Sequence, residues 1–348
     1  MKLQSINRDY ILDAGNGLYK IDDSLIQTYR LEMGIPFAAV RDGTNKVVGY
    51  FEFKERVLNG WSTVYPVPFE IAQDLINSPA SEKVLYLTIK RYMSRWARET
   101  NAKNFVVGIS GGKDSTVVAM LLCAIFGRER VYGVMMPQGK QSDIQDSIDV
   151  CNILGIHQTT VNISDSVNAI TSQICNSRAE SGIYPTKDMD INLPARIRMA
   201  TLHAIGQCVN GRVINTSNLS EDMVGYATQF GDNAGAYAPI QGLTVTEVKG
   251  LGKYLIEVLG INDESKPHTK NMLIRLIDKT PVDGLQSQTD EERLGFTYTD
   301  LDRFIRFNEG SDEFKAMIRE KYRKNKFKLE IVQMPQPDFS YLNNFVKD

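Results

Sequence analysis

The sequence predicts an α/β fold in which helices cover both faces of a parallel sheet, with a small β-rich unit at the N-terminus. Between about residues 81 and 310, short apolar runs typical of strands alternate with stretches that repeat apolar residues at helical spacing. Repeated βα units of this kind build parallel sheets. The first 80 residues do not follow the alternation, and a length of 348 residues suits two units.

The core begins with a predicted helix at 81–99, whose apolar residues lie on one stripe. Residues 116–126 are apolar nearly all round, which is typical of a helix packed deep on a sheet. Further helices are predicted at 141–154, from Ser164, at 193–209 and at 246–259; the strands between them are predicted at 104–109, 131–136, 157–163 and 212–216. Gly260 and Pro267 then open a polar connection before the apolar run 272–277.

The N-terminal residues 1–78 are predicted to form an appendage, separate from a main domain with a C-terminal tail at 79–348. Residues 35–40 and 46–53 are strand-like and flank Asp42-Gly43, which indicates a β-hairpin. Pro66, Pro68 and Pro79 interrupt the chain before the core begins. The appendage contains no chemical motif, so its role is left open.

The charge balance excludes several classes of function. Forty Lys and Arg against 42 Asp and Glu give a net charge of -2, so the whole molecule has no bias toward nucleic acid or an acidic membrane. The basic run 321–328 follows a predicted helix, and we interpret it as part of the tail and not as a nucleic-acid site. The start of the sequence has no apolar leader and no stretch is long enough to span a membrane, so we expect a cytoplasmic protein.

The four cysteines are far apart in sequence and form no CxxC pair, so neither disulfides nor a structural zinc site is expected.

The most informative segment is VVGISGGKDS at 106–115, between a predicted strand and an apolar helix. Gly111 and Gly112 can adopt positive φ and expose consecutive backbone N–H groups, and the following helix directs its positive dipole end at the same point. Ser110 and Ser115 add hydroxyl groups and Lys113 adds a cation. The segment therefore predicts a site for a triphosphate or pyrophosphate. Its spacing differs from that of a Walker A loop.

This loop resembles the SGGxDS loop of the N-type ATP pyrophosphatases, and three more segments narrow the resemblance. NLPARIRMATLHAIG at 192–206, the segment 215–248 that begins NTSNLSE, and QTDEERLGFTYTDLDRFI at 288–305 resemble ammonia-dependent NAD⁺ synthetases, in the order of that family. The resemblance covers roughly residues 81–335. It implies a Rossmann-like sheet and a homodimer.

The resemblance also implies roles for particular residues. Lys113, Asp114 and Glu221 match catalytic positions, and the two carboxylates match the ligands of Mg²⁺, which takes hard oxygen ligands. Arg196, Gln229 and Lys328 match positions that contact deamido-NAD⁺. The positions that match the ATP site are Gly108, Ile109, Ser110, Gly111, Gly112, Lys113, Asp114, Ser115 and Thr216. Thr289 with Glu292 is instead predicted to form a capping box, and Arg198 a structural contact.

Four positions depart from the family pattern. Gln229 stands where the family has a lysine that contacts the substrate, and Ala236 replaces an aspartate with that role. Val245 replaces a lysine that contacts ATP, and Val282 replaces a threonine. Lys113 or a residue outside the motifs must supply the charge that is missing at Val245.

The activity that the resemblance implies uses ATP, deamido-NAD⁺ and ammonia. The nicotinate carboxylate attacks the α-phosphorus of ATP, pyrophosphate leaves into the loop, and ammonia displaces AMP to give NAD⁺. Free ammonia or an unlinked glutaminase is the expected nitrogen source, because about 80 N-terminal residues without cysteine cannot hold a full amidase domain.

Two alternatives remain open. One is another ligase with the same loop that acts on a nucleobase or a tRNA, although the chain lacks the cysteine pattern of the thiolating enzymes. The other is a non-catalytic nucleotide sensor, which would explain the four departures but not the retention of Asp114 and Glu221.

Overall fold

The computed structural model describes the strands of the N-terminal region and residues 81–140, 144–261, 267–279 and 289–330. The chain divides into two compact units. The N-terminal strands belong to the first unit, and the second begins at Thr88. The predicted boundary near residue 78 stays a prediction. Val282, one of the four departures, lies outside the described residues.

The N-terminal unit contains a six-stranded sheet with the order β1-β4-β5-β6-β3-β2. Its strands are β1 (Gln4–Asn7), β2 (Ile11–Gly15), β3 (Leu18–Ile21), β4 (Phe37–Arg41), β5 (Val47–Phe53) and β6 (Thr63–Val67). Strands β4 and β5 pair antiparallel, as expected for the predicted hairpin, whereas β1 and β4 pair parallel.

The second unit begins within α1 and then alternates strands and helices. The first half comprises α1 (Glu82–Glu99), β7 (Asn104–Gly108), α2 (Lys113–Phe126), β8 (Val131–Met135), α3 (Ile144–Leu154), β9 (His157–Thr160) and α4 (Ser164–Ser181). The second half comprises α5 (Lys187–Cys208), β10 (Gly211–Val213), α6 (Leu219–Val224), α7 (Val245–Val258), α8 (Pro267–Asp278), α9 (Asp290–Leu294), α10 (Tyr298–Phe307), α11 (Asp312–Asn325) and α12 (Phe327–Glu330).

The strands of this unit form a parallel sheet with the order β10-β7-β8-β9. The chain runs from β7 through β8 to β9 in one direction and then returns to β10 on the other side of β7. Because βαβ crossovers are right-handed, this reversal places α2 and α3 on one face of the sheet and α4 and α5 on the other. Helix α2 packs against α3, and α5 packs against α4, β7 and β10. The predicted α/β class is confirmed.

Several boundaries differ from the prediction for identifiable reasons. Helix α2 begins at Lys113, three residues early, so part of the phosphate loop is the first helical turn. Helix α5 begins at Lys187 and not at residue 193, because Thr186 caps it by accepting a hydrogen bond from the Met189 amide at 3.2 Å. Pro267 begins α8 instead of lying in a connection, and proline suits that first helical position.

The core of the second unit is centred on α2. Residues 115–122 of this helix are all buried, as its apolar sequence predicts, and it packs against α7 and α8 as well as the sheet. The basic run 321–328 lies in α11 and α12 and does not follow a helix, contrary to the expectation. In the part of the chain that is described, no helix is both long and apolar enough to cross a membrane.

Candidate active site

The candidate site lies where the order of the parallel sheet reverses. Strands β7 and β10 are neighbours, but the chain leaves β7 toward β8 and reaches β10 from β9. The segments that follow their carboxyl ends therefore diverge and leave a crevice, which is where open α/β sheets bind ligands. Residues 109–112 follow β7 and residues 214–218 follow β10. Both predicted nucleotide motifs thus meet at one edge.

The loop after β7 is fixed by its own serine hydroxyls. The amide of Ser110 donates to Ser115 Oγ at 3.2 Å, and the two hydroxyl oxygens are 3.1 Å apart. The Gly112 amide donates to Ser110 Oγ at 3.2 Å. Gly112 is the N-cap of α2 and supplies no side-chain cap, so the first turn of α2 leaves N–H groups available for an anion.

Gly111 is required by both conformation and space. Its φ is +77°, and a Cβ there would lie 2.9 Å from the Asp146 Cβ atom. Gly112 has a φ of −89°. The sequence allowed a positive φ at both glycines, but of the two only Gly111 adopts it.

Lys113, Asp114 and Glu221 form one cluster, although the last lies more than 100 positions along the chain. The Lys113 ammonium is 2.8 Å from Asp114 Oδ2 and 3.6 Å from Glu221 Oε1. Lys113 is 3% exposed, whereas the carboxylate side chains are 17% and 19% exposed. The structure therefore brings together the three predicted catalytic residues, with the carboxylates at the more accessible edge.

Asn218 joins the two halves of this cluster and was missed by the sequence analysis. Its Nδ2 donates to Asp114 Oδ1 at 3.1 Å, and its Oδ1 accepts from the Glu221 amide at 3.1 Å as the N-cap of α6. The available signal was an Asn three residues before an acidic residue at a helix start. One buried amide thus fixes the positions of both carboxylates.

Burial and neighbouring charges have opposing effects on the pKa values in this cluster. Burial lowers the pKa of Lys113, but the attraction of Asp114 and Glu221 outweighs this effect, so the pKa lies above its ordinary value and the ammonium stays charged. Burial and repulsion from Asp114 raise the pKa of Glu221, despite the attraction of Lys113. An added cation would relieve this repulsion.

The segment 288–305 also contributes to the site, beyond the helix architecture predicted for it. The Thr289–Glu292 capping box is confirmed. Next to it, Asp290 is buried and accepts a hydrogen bond from the Tyr226 hydroxyl at 2.7 Å. The Tyr298 ring lies 5.6 Å from the Lys113 ammonium, which is a cation–π distance. Tyr298 was missed because its spacing in α10 is that of an ordinary core residue.

The predicted dinucleotide contacts gather around residues 225–233. Arg196, on α5, is exposed, and its Nε donates to the Gln229 carbonyl at 3.2 Å. Gln229 Nε2 donates to the Phe327 carbonyl at 3.5 Å, and Lys328 Nζ donates to the Gly225 carbonyl at 2.8 Å. Three distant segments therefore place Arg196, Gln229 and Lys328 on one region of the surface.

Gly225 makes the approach of the C-terminal helices possible. It ends α6 with φ of +69°, and a Cβ at this position would overlap the side chain of Asn325 in α11.

The other predicted positions have simple environments. Thr216 is partly buried in the segment after β10, next to Asn215, whose Oδ1 accepts from the Ser217 amide at 2.7 Å. Arg198 makes a structural contact, because its Nε donates to the Met136 carbonyl at 3.0 Å. Val245 is buried among apolar residues and Ala236 donates its amide to the Val213 carbonyl.

The cluster could hold Mg²⁺. Asp114 and Glu221 supply two hard oxygen ligands close to one point, since each lies within 3.6 Å of the Lys113 ammonium. Among the described residues, no group of three or more His, Cys, Asp or Glu side chains is arranged for a metal. Two carboxylates suit Mg²⁺, which keeps several waters and phosphate oxygens as its other ligands.

Comparison with known proteins identifies the family. The sequence profile of the NAD synthase family matches residues 85–338. The chain belongs to the NAD synthase family. An NH(3)-dependent NAD(+) synthetase of Thermococcus kodakarensis is 36% identical over 219 residues, 63% of this chain and 78% of that protein. The Carboxydothermus hydrogenoformans protein of the same name is 34% identical over 240 residues, 68% and 91% of the two chains.

Solved structures of NAD synthase relatives share the fold. An NMN synthetase of Francisella tularensis has a TM-score of 0.62 at 28% identity, covering 73% of this chain and 98% of its own. An NH3-dependent NAD synthetase of Campylobacter jejuni has a TM-score of 0.53 at 25% identity, covering 73% and 98%. The family resemblance predicted from the sequence motifs is confirmed.

Proposed function

We propose that the protein is a C–N ligase that uses ATP and ammonia to convert deamido-NAD⁺ to NAD⁺, with AMP and pyrophosphate as products. The observation that carries this proposal is the meeting of the phosphate loop with Lys113, Asp114 and Glu221 at the switch point of the sheet. A phosphate-binding loop without nearby carboxylates would suit simple nucleotide binding. The paired carboxylates suit a reaction at phosphorus, in which negative charge must be neutralised.

The reaction must begin by activating a carboxylate, because ammonia cannot displace an oxide ion. The nicotinate oxygen attacks the α-phosphorus of ATP, and pyrophosphate leaves toward the backbone amides in the first turn of α2, which begins at Lys113. Ammonia then attacks the acyl carbon of the adenylate, AMP leaves, and the amide loses a proton. The protein aligns the reactants and stabilises charge, and no residue forms a covalent bond.

Lys113 and the carboxylates have complementary tasks in this proposal. When bound, Mg²⁺ supplies charge neutralisation to the phosphates, and Asp114 and Glu221 would hold it. Lys113 remains protonated and lies at the helix N-terminus, where its ammonium can reach phosphate oxygens. Asn218 keeps Asp114 oriented by its hydrogen bond at 3.1 Å.

The acid substrate is proposed to extend from the crevice to the surface formed by Arg196, Gln229 and Lys328. The Arg196 guanidinium uses its Nε to bind the Gln229 carbonyl, and the rest of its planar fork can bind a phosphate or carboxylate. Thr216 is proposed to contact ATP from the end of β10.

A homodimer is proposed from the family resemblance. Analytical ultracentrifugation at several protein concentrations tests it, and a monomer at micromolar concentrations would contradict it.

A second candidate substrate is the corresponding mononucleotide, nicotinate mononucleotide. Two observations favour it: the structural neighbour at a TM-score of 0.62 is an NMN synthetase, and Gln229 and Ala236 depart from positions that contact the dinucleotide in the family. A smaller acid would need fewer contacts on this surface.

One assay tests the proposal and separates the candidates. Purified protein is mixed with ATP, Mg²⁺ and ammonium and either acid, and the amide, AMP and pyrophosphate are measured together. Equal formation of all three with deamido-NAD⁺ is expected, and a higher kcat/KM for the mononucleotide would favour the second candidate. ATP binding without any product from either acid would instead support a nucleotide sensor.

A further inference from the structure

One polar group beside Lys113 is buried without a hydrogen-bond partner. Tyr298, the first residue of α10, is 4% exposed, and in the described part of the chain its hydroxyl forms no hydrogen bond. A buried hydroxyl of this kind destabilises the folded state, because it has given up its hydrogen bonds to water and gained none. The fold alone gives no reason for such a group, so it is a candidate for contact with a ligand.

The core holds the Tyr298 side chain and therefore fixes the place of its hydroxyl. Tyr298 belongs to the same cluster of buried residues as Met223 and Val224 of α6 and Leu301 of α10. Its backbone amide donates to Glu291 Oε1 at 2.8 Å. Because the first turn of α6 also carries one of the two site carboxylates, Tyr298 approaches the site from the side of that carboxylate.

The Tyr298 ring lies next to the phosphate end of the site. Its centroid is 5.6 Å from the Lys113 ammonium, which in turn is 2.8 Å from Asp114 Oδ2 and 3.6 Å from Glu221 Oε1. The same ammonium thus lies near the ring and both carboxylates, in the first turn of α2. A ligand that binds this turn would be close to Tyr298.

The charges around the hydroxyl keep it protonated. Burial raises the pKa of Tyr298 above its ordinary value. Repulsion from the charges of Glu221, Asp290 and Asp114 raises this pKa further. The hydroxyl therefore retains its proton at neutral pH and can donate a hydrogen bond, although none of these carboxylates accepts one from it. A ligand with acceptor oxygens would satisfy the donor.

We propose that the Tyr298 hydroxyl forms a hydrogen bond to the magnesium-bound outer phosphates of ATP and then to magnesium pyrophosphate, as a further ligand-contacting residue of the phosphate end. A phosphate oxygen can accept this hydrogen bond, and a water on Mg²⁺ can donate one to the same hydroxyl oxygen. The role in catalysis rests on the proposed function, but pyrophosphate binding can be measured without turnover.

The test is calorimetric titration of the full chain with inorganic pyrophosphate, with Mg²⁺ and again with a chelator. Tyr298→Phe keeps the ring and removes only the hydroxyl. With Mg²⁺ we expect this variant to bind pyrophosphate roughly fivefold more weakly than wild type, which is the loss of about one hydrogen bond. A similar loss with the chelator would identify a phosphate oxygen as the partner, and a loss confined to Mg²⁺ would identify a metal-bound water.

The melting temperature of the ligand-free protein separates this role from a structural one. If the hydroxyl serves only the ligand, Tyr298→Phe should melt at the same temperature as wild type or higher, because it no longer buries an unpaired polar group. If the hydroxyl instead bonds a structural water, the variant should melt at a lower temperature and bind pyrophosphate as tightly as wild type. That result would overturn the inference.

Two further variants control for the ring and for the loss of a hydroxyl elsewhere. Tyr298→Leu also removes the ring beside Lys113, so it should bind pyrophosphate more weakly than Tyr298→Phe. If Tyr298→Leu loses affinity while Tyr298→Phe retains it, only the ring acts and the hydroxyl contact is contradicted. Tyr322→Phe is the matched control, because Tyr322 packs against the same core cluster from α11, and it should bind pyrophosphate like wild type.

The outcomes distinguish this inference from the proposed function. If wild-type protein makes NAD⁺ and Tyr298→Phe binds pyrophosphate normally, the inference alone fails. If wild-type protein makes no amide from either acid, but Tyr298→Phe loses pyrophosphate affinity, the hydroxyl contact stands and the proposed reaction is contradicted. Wild-type protein that binds no pyrophosphate with Mg²⁺ would overturn the inference whatever its activity.

Discussion

The two ends of the candidate site are built in different ways. At the phosphate end, the contacts are made between side chains that directly follow β7 and β10, and Lys113 is 3% exposed. At the acid-substrate end, Arg196 is exposed and its Nε donates to the backbone carbonyl of Gln229. The contacts at the phosphate end depend on which side chains are present. At the acid-substrate end, a backbone carbonyl can accept from Arg196 whatever residue stands at position 229.

One departure from the predicted family pattern, Gln229, falls at the acid-substrate end. Asp114 and Glu221, which match the predicted metal ligands, lie at the phosphate end, while Gln229 contacts Arg196 and Phe327 at the acid-substrate end. Val245 is buried among apolar residues, and Ala236 donates its amide to the Val213 carbonyl of β10, so these two departures lie elsewhere. Substrate selectivity is therefore expected to vary at the acid end, and the activation chemistry is expected to stay constant.

The largest effect is expected from Asp114→Asn, which would break the phosphate end. It removes a charge that faces Lys113 and the proposed Mg²⁺, so kcat should fall roughly 100- to 1,000-fold. AMP release measures the loss, and circular dichroism checks the fold. Asp149→Asn is the control, since that carboxylate accepts from Gln145 within α3. Activity of Asp114→Asn close to wild type at saturating Mg²⁺ would refute its role.

Gly111→Ala should have the next largest effect. Its φ of +77° and the 2.9 Å approach to Asp146 Cβ both oppose a side chain, so we expect a loss of about 1–3 kcal/mol in unfolding free energy and weaker pyrophosphate binding. Chemical denaturation and calorimetry measure the two effects. Gly112→Ala should be milder, because its φ is −89°, and equal losses in both variants would contradict this explanation.

Arg196→Ala tests whether the acid-substrate end acts independently of the phosphate end. We expect the KM for the acid substrate to rise roughly tenfold while the KM for ATP stays within about twofold, because a charge-assisted contact is lost far from the phosphates. Steady-state kinetics with each substrate varied in turn measure the split. A parallel rise in both KM values would show that the two ends are not independent.

The smallest expected effect is a difference in thiol reactivity, which is measured by chemical labelling and not by enzyme activity. Burial raises the pKa of Cys123, on α2 behind the phosphate loop, to about 12, so its thiol stays neutral at pH 8. Cys208, at the end of α5, is exposed. Mass spectrometry after limited labelling should therefore detect modification at Cys208 first. Faster labelling of Cys123 would indicate that α2 is less protected than its packing suggests.

Much of the phosphate end could be predicted from the sequence because most of its residues lie close together along the chain. The order of glycines, serines, Lys113 and Asp114 within a few residues reflects a single turn between β7 and α2. Glu221 was found through the family resemblance, since its distance from Asp114 depends on β10 lying beside β7. The contact of Asn218 with Asp114 could not be found, because the two residues are separated by 104 positions.

The same reasoning applies to the fold. Apolar periodicity predicted the helices and the parallel sheet, but the start of α5 was missed, because Thr186 and the acidic residues Asp188 and Asp190 mark it instead of apolar residues. The side of β7 on which β10 lies depends on the crossover from β9, which periodicity does not encode.

The hydrogen atom that Gly225 carries in place of a side chain has a practical consequence for anyone who trims or tags this protein. Asn325 occupies that space, and Lys328 is tied to the same turn. A fusion or deletion that disturbs residues 325–328 would change the proposed acid-binding surface from more than 90 positions away. Shortened versions should therefore retain these residues if they are to report on substrate choice.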